Sequence, residues 1–92
     1  MIEKIINNDI ENISEFRKIL DLICNEIDNG NIEQFVVFED LFCTKDDIHL
    51  FINCNKYPDY IRCYFKDKNT DSEYLLAVET FHGIGGSLKK IK

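Results

Sequence analysis

The chain has 92 residues, with 17 acidic side chains against 11 basic ones and a formal net charge of -6. Apolar residues make up 45% of it, including seven Phe and four Tyr, which excludes a disordered chain and suits one core in a single domain over residues 1–92. The acidic excess disfavours nucleic acid and anionic membrane as partners, and no stretch approaches the ~20 apolar residues of a membrane span.

Residues 1–9 set Ile2, Ile5 and Ile6 at helical spacing before Asn7 and Asn8 weaken a helix. They read as a short helical turn or an arm packed on the main helix. That main helix begins at Asn12, a capping residue, with Glu15 three positions on as a capping box requires. Ile13, Phe16, Ile19, Leu20, Ile23 and Ile27 repeat at three and four, and Leu22 and Cys24 widen the stripe. Asn29-Gly30 ends it, Gly30 being free to take the left-handed conformation.

Within residues 32–42, Phe35-Val36-Val37-Phe38 reads as a strand. Ile32, Phe35, Val36 and Phe38 do not alternate cleanly, so a short helix over 32–42 is a rival reading. Asp40, Lys45, Asp46 and Asp47 mark a polar turn region with Phe42 as an anchor. Residues 48–54 read as a strand, because Ile48, Leu50 and Ile52 alternate with His49, Phe51 and Asn53. A turn around Pro58 leads to a return strand over 60–66. Ile61, Cys63 and Phe65 share one face of it; Tyr60, Arg62, Tyr64 and Lys66 share the other. A polar loop follows, and then residues 74–81, whose only ionisable side chain apart from tyrosine is Glu79. So apolar a strand belongs in the middle of a sheet. In the tail, Ile84, Leu88 and Ile91 are three or four apart, so a short final helix could start near Ser87, against the propensity of three glycines. The expected architecture is α+β: an N-terminal amphipathic helix packed on a four-stranded antiparallel meander, with room for a short C-terminal helix.

The four cysteines, Cys24, Cys43, Cys54 and Cys63, are irregularly spaced and suit core thiols in a reducing compartment, hence the cytoplasm. Glu3, Asn7, Asn8 and Asp9 interrupt any signal-peptide-like run at the N terminus. No CxxC or CxxH pair brings these thiols together with His49 or His82, so no metal or other cofactor is expected. No catalytic set can be assigned; an enzyme would have to rest on Cys63, His49 or His82. Gly83, Gly85, Gly86, Ser87 and Lys89 form a weak anion-binding candidate, weighed against an ordinary glycine turn.

The remaining features converge on protein binding. Tyr60, Arg62, Tyr64 and Phe51 supply residue types that anchor interfaces, and Glu39, Asp40, Asp46, Asp47, Asp59, Asp67 and Asp71 would form an acidic rim. Size and acidity are similar to those of bacterial immunity proteins, without a shared motif. The expectation is a small acidic inhibitor that occludes a basic partner such as a nuclease toxin. The alternatives are a small Cys/His enzyme and a homodimeric scaffold joined through the sheet.

Overall fold

The computed structural model describes residues 8–54 and 56–92. The main helix, α1 (Ile13–Asp28), starts where its cap predicts. Asn12 Oδ1 accepts the Glu15 backbone N–H at 2.9 Å, and the Asn12 side-chain amide donates to Glu15 Oε1 at 2.8 Å. At the other end Gly30 takes a φ of 78°, and Asn31 N–H reaches back to the Glu26 carbonyl at 2.9 Å. Phe16, Ile19, Leu20, Ile23 and Cys24 are buried, as their spacing predicts, whereas Ile27 is partly buried and Ile13 and Leu22 of the expected stripe are exposed.

The described residues form a five-stranded antiparallel sheet from β1 (Asn8–Ile10), β2 (Ile32–Phe35), β3 (Tyr60–Asp67), β4 (Glu73–Glu79) and β5 (Gly85–Lys90), in the order β1-β5-β4-β3-β2. β4 is its central strand. Tyr74, Leu76 and Val78 are buried while Leu75, Ala77 and Glu79 are half-exposed, so the inner and outer faces separate by the two-residue period. The β3–β4 register sets Ile61 opposite Val78, Cys63 opposite Leu76 and Phe65 opposite Tyr74. These residues, with Leu88, Ile10 and Ile32, meet the α1 stripe in one core.

Three expectations are corrected. The sheet is not a four-stranded meander: β5 and β1 extend it beyond β4, and residues 48–54 are not in it. Residues 48–51 form a single 3-10 turn, Ile48–Phe51, with Ile48 and Phe51 buried and Leu50 64% exposed. Burial three apart is the period of that turn, and four apolar residues in five fit either period. Asp47 caps it by accepting the His49 N–H at 2.9 Å, which favours the turn over an extended chain. The C-terminal segment is strand, not helix. Three glycines within four residues give a helix little support, whereas β4 and β1 offer β5 a ladder on each side. Gly86 is needed there for close approach: a Cβ at that position would lie 2.0 Å from the Ala77 carbonyl oxygen and 2.7 Å from Val78 Cα.

Two strand boundaries also differ from the expected ones. β2 spans Ile32–Phe35, so of the strand expected over residues 35–38 only Phe35 is in the sheet, and residues 36–38 leave it. Residues 8–10 are an edge strand, while the helical turn or arm read over residues 1–9 otherwise lies outside the described residues.

Candidate partner-binding surface

The outer face of β3 carries Tyr60, Arg62, Tyr64 and Lys66, and the chain between β2 and β3 folds back over part of it. It departs after Phe35 and returns at Thr44. There Thr44 N–H donates to the Arg62 carbonyl at 2.8 Å and Arg62 N–H donates to Thr44 Oγ1 at 2.9 Å. Thr44 thus stands beside β3 where a longer β2 would have stood. The excursion is made of two tight turns, closed by Asp40 N–H to the Val37 carbonyl and Cys43 N–H to the Asp40 carbonyl.

Asp40 pins this excursion to the sheet. Its Oδ2 accepts the Tyr64 hydroxyl at 2.6 Å and Arg62 Nε at 2.9 Å, and its Oδ1 accepts the Phe42 N–H at 3.0 Å. The Tyr64 hydroxyl, then Arg62 and the Phe42 N–H, hold the carboxyl below its ordinary range despite the opposing effect of desolvation. Tyr64 is 8% exposed, its ring 5.8 Å from that of Phe35. It lies beneath the loop and supports it.

With Asp40 turned down onto β3, the loop turns three apolar groups outward beside the exposed Glu39. Phe38 is 80% exposed, Leu41 90% and Phe42 75%. Phe42, Tyr60 and Arg62 line a mainly apolar concavity of about 320 Å³. A second, of about 300 Å³, is lined by Lys56, Tyr57, Asp59, Thr80, Phe81 and Ile84. Asp59 lines the second and Tyr60 the first, and as consecutive residues their side chains leave the start of β3 in opposite directions. That end of the sheet is fastened by Thr80, whose N–H donates to the Asp59 carbonyl at 2.8 Å and whose hydroxyl donates to the Pro58 carbonyl at 2.6 Å.

The predicted site residues divide. Asp40, Arg62 and Tyr64 form one cluster, with Glu39 exposed on the same loop and Asp59 and Tyr60 exposed beside it. Asp46 is exposed where the loop ends, and the adjacent Asp47 turns to His49. Phe51 is 5% exposed and belongs to the core. Asp67 is 7% exposed and accepts the N–H groups of Asn69 and Thr70, shaping the β3–β4 turn. Asp71, in the same turn, lies 3.7 Å from Lys66 Nζ. Since β3 has eight residues, its two ends are roughly 20 Å or more apart. Asp67 and Asp71 therefore stand away from Tyr60, at the far end of the strand. Gly85, Gly86, Ser87 and Lys89 lie in β5 between two partner strands, and Gly83, with φ 104°, precedes it. Of the surface, the sequence reading misses Phe38, Leu41 and Phe81. The available signal for the first two is bulky apolar residues among turn-forming acids, matching no periodic face.

Burial pushes the Cys63 thiol up to about 12. Burial, helped by Asp28, Asp47 and Asp21, pushes Cys24 up to about 11. Both are poor sources of thiolate at neutral pH. His82 Nδ1 lies 2.5 Å from Glu79 Oε1, and its ring meets Phe81 edge-on. No hydrogen bond joins a cysteine to a histidine among the described residues, nor do three or more His, Cys, Asp or Glu side chains gather there to hold a metal ion. No described helix is long and apolar enough to cross a membrane. Comparison with models of protein families, with curated proteins and with solved structures gave no match for this chain.

Proposed function

We propose that this chain is a small acidic binding protein of the immunity type, which neutralises a basic protein such as a nuclease toxin by covering its anion-binding surface, with no turnover. One observation carries the reading: Phe38, Leu41 and Phe42 are held out to solvent by a loop that Asp40 fastens to β3. Three bulky apolar side chains gathered in the open on one short loop are unusual on a protein that binds nothing. Anchors carried on a loop whose backbone is already fastened lose less entropy on binding than anchors on a free one. The Asp40–Arg62 pair cancels its own charge, so a basic partner would be drawn by the exposed acids Glu39, Asp46 and Asp59 and by the net charge of -6. Mutual repulsion at that charge weighs against a homodimer. Free thiols at all four cysteines suit a cytoplasmic setting.

A photo-crosslinking side chain at position 42, with Lys18 on the exposed side of α1 as control position, tests the reading in the living host. A single basic protein is expected at position 42 and not at 18. Leu41→Asp or Phe42→Asp should weaken its binding by roughly 30-fold or more, about 2 kcal/mol. Added salt should slow association. Trapping of a second copy, of an acidic protein or of nothing overturns the proposal. The fastening of the loop is separately measurable. Tyr64→Phe should leave the fold intact while the amides of Phe42 and Cys43 exchange severalfold faster by NMR, with those of β4 unchanged.

A further inference from the structure

We propose that His49 is a proton-operated clasp, which ties the C-terminal turn of α1 to the foot of the loop bearing Phe38, Leu41 and Phe42. Its Nδ1 lies 2.6 Å from Asp47 Oδ1 and its Nε2 lies 2.8 Å from Asp28 Oδ1. Both neighbours are carboxylate oxygens, which accept hydrogen bonds. Only the protonated ring has two N–H groups to offer; a neutral imidazole serves one carboxylate and turns a lone pair toward the other. Asp47 is kept in place by the backbone N–H of His49 whatever the state of the ring. The contact that opens on loss of the proton is therefore the one to Asp28, on the helix.

The rest of the foot is fastened to the sheet. Gln34, on β2, donates from Nε2 to the Asp46 carbonyl at 2.8 Å and accepts the Ile48 N–H at 2.8 Å. Thr44 is held to Arg62 on β3. The clasp adds a third element, α1, and it is the only one of these fastenings that depends on a proton.

The charged groups acting on the ring are Asp47 from the foot and Asp28 from α1, and both are negative. Their hydrogen bonds, that of Asp47 foremost, raise the imidazole above its ordinary value, with slight burial opposing. The clasp is fully closed below the unfolded value of about 6.5 and opens as pH rises through the folded one. At the acid end Asp47, held low chiefly by the His49 N–H, loses its contribution as pH falls through its own folded value, below the ordinary 3.8. The ring is 35% exposed and the carboxylates 62% and 66%, so the effect is local, a matter of how tightly the foot is held.

NMR on the intact protein tests this through the His49 ring signals and the protection of amides 44–50, followed from about pH 5 to about pH 9. The ring should titrate above about 6.5 and fall back toward it in Asp28→Asn and in Asp47→Asn. Across that midpoint the protection of amides 44–50 should drop roughly two- to fivefold. The drop should vanish in His49→Gln, and β4 amides should not respond. A midpoint at or below the ordinary value, indifference to Asp28→Asn, or protection that ignores the titration overturns the clasp. Its effect on partner binding rests on the proposed binding function, and the two fail separately. If His49 titrates as expected but position 42 traps nothing, the clasp stands and the partner reading falls. If a basic partner is trapped while protection stays flat, the reverse holds.

Discussion

Gly86→Ala is expected to destabilise the protein by about 3 kcal/mol or more, enough to leave a large unfolded fraction. The new Cβ would fall 2.0 Å from the Ala77 carbonyl oxygen, inside any permitted contact, and the atoms it meets are backbone. Nothing there can rotate aside, so β4 and β5 would have to separate. That would disturb the central strand and, through the Ile10–Gly86 register, the edge strand as well. Gly85→Ala is the matched control. A Cβ at Gly85 meets nothing within 4 Å, so a change of less than about 1 kcal/mol is expected. Urea denaturation followed by circular dichroism separates the two. Equal losses would mean that glycine matters in this strand for flexibility and not for closeness.

Phe16→Ala should have an effect of similar size, about 3 to 5 kcal/mol, on a protein whose total stability is on the order of 5 to 14 kcal/mol. Phe16 is fully buried on the α1 stripe and meets the Tyr57 ring edge-on at 5.2 Å, so it joins the helix to the segment leading into β3. Removing the ring leaves a cavity between layers that cannot close without moving α1. Phe42→Ala removes the same ring from a side chain that is 75% exposed, and should change stability by less than about 0.5 kcal/mol. On the proposed function it should instead weaken partner binding. The two variants, read by denaturation and by binding, separate aromatics that hold the fold from those that face outward.

Short-range signals carry much of the fold. Asn12 and Glu15 mark the start of α1 and Gly30 its end, because capping depends on groups within one turn of the chain. The alternation in 60–66 and the apolar content of 74–81 identify β3 and β4, and the central place of β4, because those residues are sorted by two faces of one sheet. Signals fail where one residue set fits two periods. Ile48, Leu50, Phe51 and Ile52 accommodate a strand or a turn, and contacts from Asp47 and Gln34 select the turn. Ile84, Leu88 and Ile91 have helical spacing, yet of the three only Leu88 lies in β5, where it is fully buried, while the other two flank the strand.

The candidate surface divides in the same way. Tyr60, Arg62 and Asp40 are recognisable as interface-forming types, but not that Asp40 would cross to β3 and bind Arg62 and Tyr64. That pairing spans 22 and 24 positions of the chain, beyond the reach of any local pattern. It reverses two expected roles at once, placing Tyr64 beneath the loop and Phe42 outside it.

What the amino-acid order settled by itself was the helix, its two ends, the alternating strands β3 and β4 and the acidic character of the whole, since each depends on neighbours a few residues apart or on composition alone. Only the folded chain decided that β5 runs between β4 and β1, that residues 36–43 leave the sheet edge, and that Phe38, Leu41 and Phe42 on that excursion are left facing water. Those outcomes depend on which distant backbone groups find partners, and a strand, a turn and a helix compete for them on nearly equal local terms.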